Sequence, residues 1–464
     1  MKNTTIRALD GWLRRARYTL PVASGAALIA LFASACGVSD ILAVQDPDVA
    51  TQQSTNNAAA LPAVLAGAIG DFHAAYGGTG GNNESSGQIG YSGLLTDEIR
   101  SSDTFPTREE IDARSIQLTN ASNESTFIDL SRSRASADRA ALRFETFAPN
   151  DEGLAHVLDL GGLTRIMFAE NYCSGVPFST AEDNGTLDYG DPETTDQILS
   201  DALAKFDSAT HVSGASSADL NIAAIGTGRA LLDQGQFAQA AAAVASVPDN
   251  FMFLDESSAN TTAQQNGLFE FFQIVKRLSI PNKEGGNGLP YITDGSVDST
   301  IKDPRIPVKD KGIHGFDKQT EAVWQLRDTT RDAPLPVASG IEARLIEAEA
   351  ALQAGDATTF LAKLNAARAQ FPGLAALPSD SVPADLNGRT LLLFRERAYD
   401  LWLTSHRLGD LRRMVRQYGF GTEQVFPTGS RAKTGKAYGP DVNLPVPQVE
   451  TNNPKFTGCL NRDA

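Results

Sequence analysis

Apolar positions recur every three or four residues along most of the chain, with polar residues between them, which is the period of a helix buried along one face. This pattern predicts helices over 56–76, 133–147, 155–172, 194–209, 218–233, 237–247, 340–354, 358–371 and 389–418. Two long stretches lack it. Residues 77–102 and 249–315 are rich in Gly, Asn, Ser and Asp and are expected to be irregular loops, with short strand-like runs such as Phe251-Met252-Phe253-Leu254. The expected fold class is mostly α, a helical-repeat scaffold with long irregular loops and few short strands.

Two of the predicted helices end on similar turns. Ala230-Leu231-Leu232-Asp233-Gln234-Gly235-Gln236-Phe237 falls in register with Ala350-Ala351-Leu352-Gln353-Ala354-Gly355-Asp356-Ala357, each with a glycine between two Ala-rich helices. Such units are tetratricopeptide-like, and chance register between Ala-rich helices is the alternative. In the second unit Ser339 and Glu342 form a capping-box pattern. Ile341, Leu345, Ala348 and Leu352 make one apolar stripe, and Phe360, Leu364, Ala367 and Phe371 make the facing one. Neither stripe can be buried within its own pair, so further pairs must stack on it.

The N-terminus follows another pattern. Lys2, Arg7, Arg14, Arg15 and Arg17 precede an apolar run from Leu20 to Phe32, and Ala33-Ser34-Ala35 precede Cys36. A basic start, a short apolar core and small residues before a cysteine resemble a lipoprotein leader, too short to span a bilayer. Residues 1–35 are expected to be removed, with Cys36 acylated as the new N-terminus; a plain secretory leader is the alternative. Residues 36–55 then form a leash, and 56–464 a single domain: a helical part (56–248), a loop-rich insertion (249–338) and a second helical part (339–464). Several acyl chains hold a domain on a membrane, at about 0.8 kcal/mol per buried methylene.

The chain carries 40 Lys and Arg against 56 Asp and Glu, a net charge of −16, and losing five basic and one acidic residue with the leader leaves −20. Such a surface repels phosphate and argues against a nucleic-acid partner. With Cys36 acylated, Cys173 and Cys459 remain, either as a disulfide or as two separate buried thiols.

Reactive motifs are near misses. The run from Gly429 to Ala437 has five residues between its glycines where a phosphate loop has four, and Ala437 replaces the metal-binding hydroxyl, so it reads as a basic surface loop. The histidines show no His-x-x-x-His pair, and Asp183, Asn184, Asp188 and Asp191 miss the EF-hand spacing. No metal and no cofactor are expected. Paired carboxylates for glycoside cleavage meet only in three dimensions and stay open.

From Ser339 onward the residues take on a family order. Glu347-Ala348-Glu349-Ala350-Ala351-Leu352-Gln353-Ala354-Gly355-Asp356, Leu364-Asn365-Ala366-Ala367-Arg368, Glu396-Arg397 and Arg407-Leu408-Gly409-Asp410-Leu411-Arg412-Arg413 resemble the signature order of the SusD/RagB family of outer-membrane nutrient-binding lipoproteins. The closing Leu444-Pro445-Val446-Pro447, then Glu450 and Asn453-Pro454, is similar to that family's ending, and the Cys36 leader with Leu42 to Pro47 also matches. One departure is visible: Ser405-His406 stands where the family commonly has Glu-Gly.

The resemblance implies a surface-exposed, lipid-anchored outer-membrane protein without enzymatic activity. It would bind an oligomeric nutrient, an oligosaccharide or a peptide, and deliver it to a SusC-like TonB-dependent transporter barrel. A helical-repeat scaffold for envelope assembly and a secreted hydrolase are the alternatives. Glu396, Arg397, Arg407 and Asp410 are expected on one long helix as a structural motif that docks it on its neighbours. Glycan-binding members use exposed aromatic rings, because a sugar's C–H face stacks on an apolar plane while its hydroxyls need polar neighbours. With Trp402 expected in the core, the candidates are Tyr76, Tyr91 and Phe105, in or beside the early Gly- and Asn-rich loop; packing of that loop is the alternative.

Overall fold

Most of the long helices begin where the sequence places a capping residue. Asn120, Asp151, Thr194, Ser216, Ser339, Asp356 and Asp385 each precede a helix and accept a backbone N–H from its first turn. In the computed structural model, which describes residues 55–81, 85–181, 186–297 and 300–464, these are α4 (Ala121–Phe147), α5 (Glu152–Asn171), α6 (Thr195–Thr210), α7 (Ser217–Asp233), α9 (Gly340–Gln353), α10 (Ala357–Arg368) and α11 (Leu386–Asp400). The others are α1 (Leu61–Tyr76), α2 (Gly87–Thr96), α3 (Pro106–Asp112), α8 (Phe237–Val244) and α12 (Arg407–Tyr418). Cys36, the leader, Asp183 and Asn184 lie outside the described residues.

Helices that follow one another pack on one another: α4 on α5, α5 on α6, α6 on α7, α7 on α8 and α9 on α10, while α8 also packs on α9. The two turns matched in the sequence have one conformation. Gly235 and Gly355 both sit at φ +73°, the left-handed region a side chain resists. Their backbone hydrogen bonds also correspond, Gly235 N to Leu232 O at 2.9 Å and Gly355 N to Leu352 O at 3.1 Å. The α7–α8 and α9–α10 hairpins are thus two copies of one unit, and Ile225, Val244, Ala343 and Ile346 share the core between them. Ser339 caps α9, but the Glu342 side chain makes no return bond; it pairs with His406 instead, Oε1 to Nε2 at 3.0 Å.

The segment between those hairpins leaves and returns at one place. β2 (Met252–Asp255) pairs antiparallel with β6 (Leu335–Ser339), so Met252 faces Ser339 across the neck of the insertion. Within it, β3 (Leu278–Ser279) pairs with β1 (Arg100–Ser101), and β4 (Val308–His314) forms a hairpin with β5 (Glu321–Gln325).

Two expectations are corrected. Residues 77–102 are not all loop: α2 lies within them, and all ten of its residues are buried. Its polar groups are satisfied internally, Asn171 Nδ2 donating to Gln88 Oε1 at 2.9 Å and Ser92 Oγ to Gln88 O at 2.7 Å. A helix buried all round has no polar face to give it a period. The last long helix, predicted over 389–418, is two helices. The break holds Leu403 at φ +57° and Ser405 at φ +64°, and Arg327 Nη1 caps the exposed carbonyls of Trp402 and Leu403 at 2.6 and 3.1 Å.

Candidate functional site

A cavity of about 560 Å³ opens where four loop segments meet: Asp97–Ser101 after α2, Pro281–Gly285 after β3, the β4–β5 turn at Gln319–Glu321, and Ser430–Tyr438. The last is the basic loop noted as a failed phosphate motif. It folds on itself through a bridge between Ser430 and Ala437. Ion pairs hold it down: Arg431 to Glu109 at 3.0 Å and to Asp112, Lys433 to Glu109 at 2.6 Å and to Asp317 at 2.9 Å.

The β4–β5 turn is shaped by Asp317, whose carboxylate accepts from Gln319 N at 3.0 Å, Thr320 N at 2.9 Å and Thr320 Oγ1 at 2.6 Å. Burial alone would raise this carboxyl; those bonds and Lys433 outweigh it and bring it down to about 2, so it stays charged. Asp317 N donates to Ser102 O at 3.0 Å and Phe316 N to Lys276 O at 2.8 Å, which ties the turn to the strand pair beneath.

That tie sets an aromatic stack next to the cavity: neither ring lines it, but the lining residue Lys433 pairs with Asp317 and donates to Asp103 O, near neighbours in the chain of Phe316 and Phe105. The Arg277 guanidinium lies 3.9 Å from the ring centre of Phe316 and 4.6 Å from that of Phe105, and donates to Asp103 Oδ1 at 2.6 Å. Arg108 covers Phe105 at 4.9 Å. Even so, Phe105 is 46% and Phe316 45% exposed. Guanidinium contact holds the rings in place while nearly half of each side chain stays accessible. The wall carboxylates are engaged. Asp112 accepts from Ser101 N at 2.8 Å and from Arg431, and Asp97 accepts from Gly285 N at 2.8 Å and from the Tyr438 hydroxyl. Burial, reinforced by the neighbouring Asp112, pushes the Asp97 carboxyl well up.

Of the aromatic candidates, the structure places Phe105 in this stack. Tyr76 and Tyr91 are each 3% exposed and are corrected to core. The Tyr76 hydroxyl donates to Pro336 O and to Thr404 O at 3.3 Å, so its polar tip is used internally. Phe316 and Arg277 were missed. The available signal was a phenylalanine in a tight Gly-Phe-Asp turn, where a large apolar side chain has no core to enter. Trp402 is 2% exposed, and Trp324 is half-buried beneath Lys311 at 4.5 Å. Cys173 and Cys459 are joined, with Cα atoms 6.0 Å apart. Among the described residues no group of three or more His, Cys, Asp or Glu is placed to hold a metal ion.

Glu396, Arg397, Arg407 and Asp410 are buried, do not line this cavity, and are split between α11 and α12 rather than sharing one helix. Glu396 Oε2 accepts from Arg305 and Arg368 at 2.6 Å each, and Arg397 Nε donates to both Asp410 oxygens at 2.9 Å. Arg407 forks onto Glu284 at 2.7 and 2.6 Å. Burial would raise Asp410; Arg397 and Arg413 outweigh it and hold its carboxyl well below the usual range. The network joins α11 and α12 to α9, α10 and the insertion. At the departure from the family pattern, Ser405 Oγ meets Ser92 Oγ at 3.1 Å and His406 pairs with Glu342.

Solved structures match this architecture over nearly their whole length. A SusD superfamily protein from Bacteroides fragilis superposes with TM-score 0.62 at 17% identity, covering 86% of this chain and 99% of the other. The chain has the SusD-like fold. Surface glycan-binding protein A from Bacteroides uniformis matches with TM-score 0.63 at 13% identity, over 86% of this chain and 98% of its own. A laminarin-binding SusD-like protein matches with TM-score 0.55 at 13% identity, over 87% and 99%. No family model and no curated protein matches by sequence. The SusD-like fold agrees with the resemblance drawn from the C-terminal motifs, whose residues form the buried charge network.

Proposed function

We propose that this protein captures an oligosaccharide at the cavity and passes it, without breaking a bond, to a TonB-dependent transporter barrel, while anchored on the outer membrane through acylated Cys36. The observation that carries the binding reading is the Phe105–Arg277–Phe316 stack beside a polar cavity, since sugars need an apolar plane and hydrogen-bonding groups together. Two structural neighbours bear glycan-binding names, which favours oligosaccharide over peptide. A binder suits the wall chemistry too, because the buried carboxylates are bound by backbone, tyrosine and arginine rather than facing each other across a gap. The leader pattern ending at Cys36 supports the anchor.

The test has two arms. On a glycan array the mature protein is expected to retain at least one oligosaccharide, and Phe105→Ala with Phe316→Ala to weaken that binding about tenfold or more, since stacking on one ring is worth about 1 kcal/mol or more. Purified from detergent-solubilised outer membrane, the full chain is expected to bring down a barrel protein. Binding that survives loss of both rings rejects the site; recovery without a barrel rejects the delivery role.

A further inference from the structure

The cavity carries more positive charge than a neutral sugar calls for. Arg100, Lys283, Arg431 and Lys433 all line it, in a chain whose net charge is −16. Arg431 and Lys433 are committed to Glu109, Asp112 and Asp317. Arg100 and Lys283 form no ion pair within 4 Å among the described residues, and Glu321, Asp112, Asp97 and Asp317 act on Arg100 only from further off. Arg100 donates from Nη2 to the backbone oxygen of Glu321 at 3.1 Å, while its Nε is buried with no hydrogen-bond partner. Lys283 is exposed and donates to the backbone oxygen of Gly286 at 2.9 Å.

The Nε is enclosed by protein, so a ligand in the cavity would meet the Nη edge of this half-buried guanidinium, and the acceptor that suits that edge best is an anion. Opposing charge inside the cavity is muted. Asp112 is neutralised by Arg431, and Asp97 is enclosed by Tyr438 and Gly285, with burial favouring its protonated form. Glu321 stands exposed at the rim.

We propose that the ligand is an acidic oligosaccharide, whose anionic group, a uronic-acid carboxylate or a sulfate ester, is bound by Arg100 and Lys283 while a neighbouring ring stacks on Phe105 and Phe316. The inference rests on the reading of this cavity as a glycan site and names the class of glycan.

Titration calorimetry of the mature protein with three probes of similar length tests it: oligogalacturonate, a sulfated galactan fragment and a laminarin oligomer. One acidic probe is expected to bind about tenfold or more tightly than neutral laminarin, and which one it is separates carboxylate from sulfate. The ratio of acidic-probe to laminarin affinity should shrink with added salt, fall about tenfold in Arg100→Gln and in Lys283→Gln, and rise in Glu321→Gln. Lys283 and Glu321 are exposed, so those two variants fold whether or not Arg100→Gln does. Laminarin bound as tightly as the acidic probes, or acidic binding indifferent to all three changes, overturns the acidic ligand while leaving glycan capture intact. Failure of every probe overturns the acidic ligand as well, whereas capture itself falls only if the array shows no glycan bound.

Discussion

Glu98 lies beneath the break between α11 and α12, where Oε1 accepts from Leu403 N at 3.0 Å and Oε2 is buried without a partner. Burial pushes its carboxyl up from 4.5 to about 7, against the opposing pull of the Leu403 N–H and Arg407. Because the folded value is the higher one, the associated stability is complete below pH 4.5, drains away as pH rises through 7, and is level beyond. Glu98→Gln keeps an acceptor for Leu403 and removes the titration. The variant is therefore expected to lose less stability than the parent between pH 5 and pH 7, by ~3 kcal/mol at most, in urea unfolding at stepped pH. Equal slopes for the two proteins would disprove the assignment. At this scale the sequence showed which charges sit in the family motif but not their partners. Arg407 meets Glu284, and Glu396 meets Arg305, across more than ninety residues. Phe105 was legible as an exposed aromatic; Phe316 and Arg277 were not, because only the β4–β5 turn brings them to it.

Among the elements, α5, α6 and α7 meet around one ring. A Cβ placed on Gly226 would lie 2.2 Å from Phe206, and one on Gly162 2.5 Å from the same ring, so two glycine notches on flanking helices receive a phenylalanine from α6. Overpacking of such a site costs about 1–3 kcal/mol. Gly226→Ala is expected to lower unfolding free energy by that amount in chemical denaturation, and Phe206→Leu in the same chain to recover part of it. An unchanged midpoint for Gly226→Ala would show that the notch is not needed. Helix boundaries were readable wherever a capping side chain met an apolar stripe, as at Thr194 and Ser216. They were unreadable where the surroundings replaced the stripe: α2 is buried on every side, and α4 begins twelve residues before its predicted start under the cap of Asn120.

Over the whole molecule, the described residues from Thr55 to Ala464 cluster as one unit, and the chain's end is tied into it. Leu444 N donates to Asn171 O at 2.8 Å, Cys173 N donates to Leu444 O at 2.9 Å, and the Cys173–Cys459 bridge closes a loop of sequence separation 286. Replacing both cysteines by alanine is expected to destabilise the protein by ~2–4 kcal/mol, with hydrogen exchange rising first in the segment after Asp441. A melting temperature unaffected by that change, or by reductant, would show that the backbone bonds alone hold the tail. The sequence by itself determined the helical class, the repeated glycine turn, the capped helix starts other than that of α4 and the identity of the motif charges, because each depends on residues within a few positions of one another. Tertiary structure alone decided the rest: that the last helix breaks at Leu403, that Tyr76 and Tyr91 turn inward, and that four distant loops enclose one charged cavity beside Phe105 and Phe316. Those outcomes depend on which buried polar groups find partners and which surfaces remain for solvent, and both are settled only when segments far apart in the chain pack together.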